Sequence, residues 1–387
     1  MLGSDDTLFS LTKENNQTIL RLSHYLDALR ESNPTSRIID IVHTRFSAES
    51  FSPINGIEII PIQSKYIQCF PWMGFKYVRK EIANSNMGLI TCQNPFEVGL
   101  LGVLLKRKLK IPLEVQIHLN FFSPYWTKEH NLYNRIRYFM AKMVARNADK
   151  IRVVSSSIQD ALIERWDLPA SKIYLAPVPV YITNDFIEKT NISISFKPDK
   201  RVILYIGRLA YQKNLYGFFE ICQRVLSLFN DVEVVIIGEG PLKNYVEDKI
   251  SEIHTNRIHL LGAIPYSELS HWYKQADIFL LPSYYEGLPR VLIESYLFNV
   301  PTVGSSCAGL QDIILDGQTG FLVDVENIDA FVEKISWILN HPKEKKEMGI
   351  KGCEFVRSKF APFLLTKKIV SEWVQLVNNY ESNLDYS

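Results

Sequence analysis

Ser283-Tyr284-Tyr285-Glu286-Gly287-Leu288-Pro289-Arg290-Val291-Leu292-Ile293-Glu294 follows directly on an apolar run, Asp277-Ile278-Phe279-Leu280-Leu281-Pro282. The run reads as a buried parallel strand ended by its proline, and the apolar spacing from Val291 to Phe298 reads as a helix. Glu286 to Pro289 is then a strand-to-helix turn at the carboxyl end of a parallel strand, where open α/β sheets bind their ligands. Gly287 lets the backbone approach a ligand, and Pro289 is expected at the first helical position, where its missing N–H costs nothing. The unpaired N–H groups of that first turn suit an anionic or hydroxyl-rich ligand. Glu286 and Glu294, about two helical turns apart, can hold two parts of one long ligand. Taken singly, Glu286 reads better as a capping acid and Glu294 as a solvated helix acid; it is the whole phrase in its context that points to a ligand.

Working outward, Gly207-Arg208-Leu209-Ala210-Tyr211-Gln212-Lys213-Asn214 is a second turn leaving a strand, Val202 to Ile206. Gly207 permits a sharp bend, and Arg208 and Lys213 set two cations where a diphosphate would lie against the next helix. Arginine binds phosphate oxygens in bidentate fashion and lysine acts as a point charge. Gly238-Glu239-Gly240-Pro241 marks a third turn of the same kind.

The pattern of Glu286, seven residues, and Glu294, with Gly-Leu-Pro behind the first, resembles the signature of retaining GT-B glycosyltransferases of family four. The resemblance is specific over about Arg201 to Val323, where the two turns above and Asn299 to Val323 carry it, and weaker before that. It implies two Rossmann-like doubly wound domains facing a cleft, with a C-terminal helix that crosses back to the N-terminal domain. It also implies that Gly207, Arg208 and Lys213 hold a donor diphosphate. Glu286, with Gly287, Leu288 and Pro289, would hold the transferred sugar, and Glu294 the ribose. His118, which ends the predicted strand Leu113 to Ile117, matches a histidine of the family that contacts the sugar or the acceptor. An ordinary polar strand end is the alternative for His118.

Length and composition agree with such an architecture. A chain of 387 residues is too long for one core and suggests two domains. Hydrophobic and charged fractions of 47% and 22% are those of a globular protein. The apolar run Val98 to Leu105 is far short of the ~20 residues of a membrane span. Asp5 and Asp6 stand where the basic region of a signal peptide is expected. Five scattered cysteines without a C-x-x-C pair speak against disulfides and zinc. A cytoplasmic protein is expected. No G-x-G-x-x-G fingerprint and no P-loop occur, which argues against NAD and ATP. No D-x-D motif occurs either, so neither a metal nor a cofactor is expected, and His254, His259 and His271 are read as structural or exposed residues rather than ligands.

The N-terminal half alternates strands (Arg37 to Val42, Gly56 to Ile62, Met87 to Cys92, Pro112 to His118, Ile151 to Val154, Lys172 to Ala176) with helices (Thr18 to Arg30, Gly74 to Asn84, Glu97 to Leu109, Asn131 to Asn147, Ser157 to Trp166). That is the pattern of a parallel sheet. A first strand is reduced to Met1-Leu2, and the paired glycines expected in the loop after it are absent. The second half repeats the alternation, with strands at Val202 to Ile206, Val232 to Ile237, Ile258 to Leu261, Asp277 to Leu281 and Val300 to Val303. The expected domains are 1–180, binding the acceptor, 199–360, binding the donor, and a crossing helix at 362–382, with a linker at Pro177 to Arg201.

Charge is uneven. Met1 to Val180 carries 22 basic and 16 acidic residues and the remainder 21 and 26, so a basic half (+6) precedes an acidic one (−5). In Asn131 to Asn147, Leu132, Ile136, Phe139, Met140 and Met143 fall on one side, which is expected to pack on the sheet. The cations Lys106, Arg107, Lys108, Arg135, Lys142 and Arg146, with Phe121, Phe122, Tyr125, Trp126, Phe70 and Trp72, suggest peripheral contact with an anionic membrane.

The expected activity is that of a metal-independent retaining hexosyltransferase. It would move a sugar from a nucleotide-diphosphate donor, a UDP-sugar by preference, to a hydroxyl of a glycan or lipid-linked acceptor. The setting would be cell-surface polysaccharide or lipid-linked glycan synthesis at the inner membrane face, with no nucleic acid involved. A non-catalytic GT-B subunit and a GT-B nucleotide-sugar epimerase are the alternatives.

Overall fold

The computed structural model describes residues 1–3, 16–82, 87–129, 131–182 and 199–384, and the chain divides into two compact units. The first comprises Met1–Phe122, His130–Tyr181 and Pro362–Ser387; the second comprises Ser123–Glu129 and Ile182–Ala361. The loop after the first strand and most of the expected linker lie outside the described residues.

In the first unit, the strands β1 (Leu2–Gly3), β2 (Ile38–Thr44), β3 (Phe51–Ile54), β4 (Ile57–Gln63), β5 (Ile90–Cys92), β6 (Leu113–Ile117), β7 (Lys150–Val153) and β8 (Ile173–Leu175) form one sheet. Their order is β3-β4-β2-β1-β5-β6-β7-β8. All neighbours are parallel except β3, which pairs antiparallel with β4. Two residues suffice for β1 because both of its edges are paired: Leu2 lies opposite Ile41 on one side and Cys92 on the other. The edge strand β3 escapes the sequence pattern because Pro53 sits inside a strand that only an edge position tolerates.

Helix α1 (Gln17–Ser32) is capped by Asn16, whose side chain accepts from the N–H of Thr18. It packs on the sheet through Leu22, Tyr25 and Leu26, joined by Ile369, Val370 and Trp373 of the last helix, Pro362–Leu384. The C-terminal helix is thus part of the first unit's core.

Helix α5 (Asn131–Asn147) reverses an expectation. Leu132, Ile136, Phe139 and Met143 are exposed, while Asn134, Ala141, Val144, Ala145 and Ala148, at the helix and just beyond it, are buried. The helix presses its small side against α3 (Glu97–Leu109), where a Cβ on Gly99 would come within 2.7 Å of Val144. Close approach selects small residues, so the large apolar stripe is the face that cannot fit. Four of the aromatics expected at a membrane are core residues instead: Phe70, Phe121, Phe122 and Trp126 are buried. Phe121 and Phe122 pack around Trp166 and Tyr138.

The second unit holds a six-stranded parallel sheet of β9 (Arg201–Ile206), β10 (Val232–Ile237), β11 (Ile258–Gly262), β12 (Ile278–Leu281), β13 (Thr302–Ser305) and β14 (Gly320–Val323), ordered β11-β10-β9-β12-β13-β14. Every pairing in it is parallel. The order reverses between β9 and β12. Chains leaving these neighbours at their carboxyl ends turn away in opposite directions, which opens a crevice there. The turns quoted at the outset leave these two strands.

Candidate active site

Both turns at the switch point are held by backbone. The N–H of Tyr284 donates to the carbonyl of Gln212 at 2.9 Å, joining the loop after β12 to the loop after β9. The adjacent loops close in through glycines. Gly238 has φ +143°, and a Cβ on it would lie 1.9 Å from the carbonyl oxygen of Gly207. A Cβ on Gly309 would lie 2.3 Å from that of Gly287. Backbone cannot yield as a side-chain tip can, so only glycine fits at both places.

Within this frame the Glu286 carboxylate is buried and has three donors. Lys213 Nζ lies 2.5 Å from Oε1, Ser283 Oγ lies 2.7 Å from the same oxygen, and Gln212 Nε2 lies 3.4 Å from Oε2. The candidate diphosphate lysine and the candidate sugar-binding glutamate thus form one ion pair across the two turns. Arg208, five residues before Lys213, is exposed, and Tyr205 from β9 donates its hydroxyl to the Arg208 carbonyl at 3.2 Å. Asn214 takes φ +50°, a left-handed conformation that asparagine tolerates, and its side chain accepts from the N–H of Gly217 to start the next helix.

Gly287 and Leu288 follow Glu286, and α10 (Arg290–Leu297) begins one residue later than expected: Pro289 is its N-cap, with ψ 108°, not its first helical residue. Proline is as suitable there, since the cap position also leaves its nitrogen without an intrahelical partner. Glu294 lies on the buried face of α10 with different company. Tyr273 and Tyr266 donate their hydroxyls to it at 2.9 and 3.2 Å, and a guanidinium nitrogen of Arg290 stands 3.9 Å away. Burial raises its pKa above the ordinary 4.5, partly opposed by Arg290 and the two hydroxyls. No motif announces Tyr266, Tyr273 or Arg290 as its partners. The tyrosines come from another loop and helix, and only Arg290, four residues away on the same helix, had a spacing from which contact was inferable.

Tyr284 and Tyr285 also acquire partners far away in sequence. The Tyr285 hydroxyl donates to the Glu129 carboxylate. Tyr125 stacks on Tyr284 with ring centroids 4.6 Å apart and donates to Glu326 at 2.7 Å. The hydrogen bond to Glu326 pushes the Tyr125 phenol up to about 12. Residues 123–129 therefore clasp the Glu286 loop as part of the second unit, although their neighbours in sequence belong to the first.

His118 stands just past the end of β6 in the first unit. Its Nε2 lies 3.0 Å from Gln116 Oε1. The orientation of the Gln116 amide follows from its charged neighbours: its nitrogen faces Thr91 Oγ1 at 2.8 Å and the Glu114 carboxylate at 3.3 Å, while its oxygen faces the Arg152 guanidinium at 3.4 Å. Reversed, the amide would set oxygen against carboxylate and N–H against guanidinium. Its oxygen thus accepts from His118, which places the imidazole proton on Nε2 and leaves Nδ1 as an acceptor. Burial and the cations Arg152 and Arg21 hold the ring well below the ordinary histidine range. Among the described residues, no His, Cys, Asp and Glu side chains cluster in a way that could hold a metal ion.

Comparison with known proteins now bears on this geometry. The model of the glycosyl transferases group 1 family matches residues 187–354, and that of glycosyltransferase family 4 matches residues 39–183. The chain is a family-four glycosyltransferase. A Campylobacter jejuni α-1,4-N-acetyl-D-galactosaminyltransferase, named for a diNAcBac-PP-undecaprenol-linked acceptor, is 28% identical over 277 residues, covering 71% of this chain and 70% of that protein. Sucrose-phosphate synthase of Thermosynechococcus elongatus superposes with a TM-score of 0.79 at 19% identity, covering 94% of each chain. HepE of Anabaena, in complex with UDP and glucose, superposes at 0.71 and 15% identity, covering 97% of this glycosyltransferase and 98% of HepE. The fold is GT-B.

Proposed function

We propose that this glycosyltransferase transfers a hexose from a UDP-sugar to a hydroxyl of a lipid-linked glycan with retention of anomeric configuration. The observation that carries the reading is the Lys213–Glu286 pair at the switch point of the second sheet. A donor offers both partners a better match at once: its diphosphate takes the lysine, and its sugar hydroxyls take the carboxylate. Arg208, exposed beside them, supplies the second cation. As the bond between the anomeric carbon and the diphosphate oxygen breaks, Arg208 and Lys213 stabilise the charge gathering on that oxygen. The acceptor oxygen bonds to the same face of the carbon, and its proton passes to the departing phosphate oxygen. Glu286 orients the sugar and does not attack it, and no metal enters the scheme. Glu294, with Gly207 and the turn Gly287-Leu288-Pro289, belongs to the donor site, and His118, in the first unit, is assigned to the acceptor, with Nδ1 able to accept from one of its hydroxyls.

Support for the donor comes from HepE, whose complex holds UDP and glucose. Support for the acceptor comes from the undecaprenol-linked glycan for which the Campylobacter relative is named. Peripheral contact with an anionic membrane belongs to the same proposal. The test is a transfer assay with a panel of UDP-sugars and lipid-linked acceptors, with the product anomer read by NMR. A product of the donor's own anomeric configuration, formed equally in EDTA, is expected. An inverted product, or turnover that requires a divalent ion, overturns the mechanism.

A further inference from the structure

Helix α5 carries its largest apolar side chains into solvent. Leu132 is 74% exposed, Ile136 54%, Phe139 67% and Met143 38%. At 3.6 residues per turn these four form one narrow ridge, opposite the small buried side of the same helix. The ridge does not stand alone. Gln68 donates to the Tyr133 hydroxyl at 3.2 Å, which brings the start of α5 beside the segment running into helix α2 (Phe70–Tyr77). There Tyr66, Trp72 and Met73 are also exposed, Trp72 at 68%. A contiguous apolar surface of this kind marks an interaction site.

Its charge decides the partner. The α5 sequence contains four cations, Arg135, Arg137, Lys142 and Arg146, and no acid at all. Arg137 turns inward to Glu97 at 3.3 Å, while Arg135, Lys142 and Arg146 follow one edge of the ridge. On the α2 side, Lys76, Arg79 and Lys80 are exposed; of the acids near them, Glu81 is paired to Lys80 at 2.8 Å and Glu58 faces Tyr77, so cations outnumber acids there. A second copy of the chain fits poorly, because an isologous contact would set these cations against their own equivalents. Large apolar and aromatic side chains bordered by cations match the boundary of an anionic bilayer, where rings and aliphatic chains enter the headgroup zone and cations meet phosphate.

We infer that the exposed face of α5, extended by Tyr66, Trp72 and Met73, is the surface on which this protein docks to an anionic lipid bilayer. The inference rests on the peripheral contact proposed above, and it centres that contact on the apolar ridge of α5. Lys106 is engaged by Asp149 at 2.6 Å and by the Asn147 carbonyl, and Arg107 by Asn147, so two cations at the end of α3 are committed within the protein.

Vesicle sedimentation tests it, using phosphatidylcholine alone or mixed with phosphatidylglycerol, with UDP binding measured on the same samples. The full chain is expected to pellet with the mixed vesicles only. Ile136→Ser with Phe139→Ser is expected to weaken binding roughly tenfold or more, since two apolar side chains that enter the bilayer are lost. Arg135→Glu with Lys142→Glu should abolish the preference for anionic lipid. Leu228→Ser, which removes an exposed leucine of the second unit, is the control and should change nothing. No sedimentation of the wild type, or undiminished binding by Ile136→Ser/Phe139→Ser, overturns the inference. So does a concentration-dependent dimer that this double variant dissolves, since a second copy would then cover the face. UDP binding is expected in every sample. Its loss in the wild type would overturn the donor reading and leave the docking result standing.

Discussion

Glu286 and Glu294 sit eight residues apart, both buried, and the structure gives them opposite company. Glu286 faces a lysine, and its other donors are a serine and a weakly placed glutamine. Glu294 faces two tyrosine hydroxyls, with its nearest cation at 3.9 Å. A carboxylate paired with a mobile point charge can exchange that partner for a ligand at little cost. One enclosed by aromatic hydroxyls is fixed in place, and its burial is felt as a raised pKa. The first arrangement suits a group that works during turnover and the second a group that shapes a pocket.

The strongest way to break that contrast is to remove the charge at Glu286. Glu286→Gln keeps the shape and is expected to lower transfer by roughly a hundredfold or more, the usual range for a lost transition-state contact. UDP affinity should hold, since the partner proposed for Glu286 is the sugar. Steady-state kinetics beside calorimetry with UDP separates the two quantities. Near wild-type turnover would reduce Glu286 to a loop-holding residue.

Lys213→Ala and Arg208→Ala address the other half of the pair. Each is expected to weaken UDP binding by at least about 1 kcal/mol, roughly fivefold, the lower range for hydrogen bonds to charged groups. Lys213→Ala also strands a buried carboxylate, so it should lower the melting temperature, whereas Arg208→Ala, at an exposed position, should not. Unchanged UDP affinity in both variants would remove this loop from the donor site.

What the chain reveals in one dimension follows the same division. The strands at the switch point are uninterrupted apolar runs, and the glycines and charges of their turns lie within a few residues of one another, so the Glu286 and Lys213 turns are legible. The partners of Glu294 are not, because Tyr266 and Tyr273 reach it from a different loop and helix. The clasp of Tyr125 and Glu129 on the Tyr284-Tyr285 pair spans more than 150 residues. Helix α5 misleads for a further reason. Apolar periodicity shows that a helix has two sides, and the larger residues usually face inward. Here Gly99 and the alanines allow a closer approach than large side chains would, and the helix is inverted. Strand β1 is short on paper, and only its two paired edges make it a strand.

A third carboxylate extends the comparison into the first unit. Glu114 accepts from Tyr174 and Thr91 and, more distantly, from Gln116, whose orientation sets the proton of His118 on Nε2. Nitrogen-15 NMR of labelled His118 should show the neutral Nε2–H form through mildly acidic pH, because burial, Arg152 and Arg21 oppose the imidazolium. Gln116→Leu removes the acceptor and should leave a mixture of tautomers with the fold intact. A wild-type ring protonated on Nδ1 alone would overturn this network.

The smallest expected effect concerns Glu294 and pH. Its folded pKa lies above the ordinary 4.5, so the folded protein keeps this proton longer than the unfolded chain does. The contribution of this group to stability is therefore full below about pH 4.5 and is lost as pH rises through the raised folded value. Glu294→Gln carries no such group, and its amide still accepts from Tyr273 or Tyr266. Other carboxylates titrate in the same window and contribute equally to both proteins. The difference isolates Glu294: urea melts from about pH 4 to pH 7 should show the wild type losing ground steadily relative to Glu294→Gln. A difference independent of pH would mean that Glu294 is ionised in the fold as freely as in the open chain. Arg290 would then be its true partner, and the contrast with Glu286 would disappear.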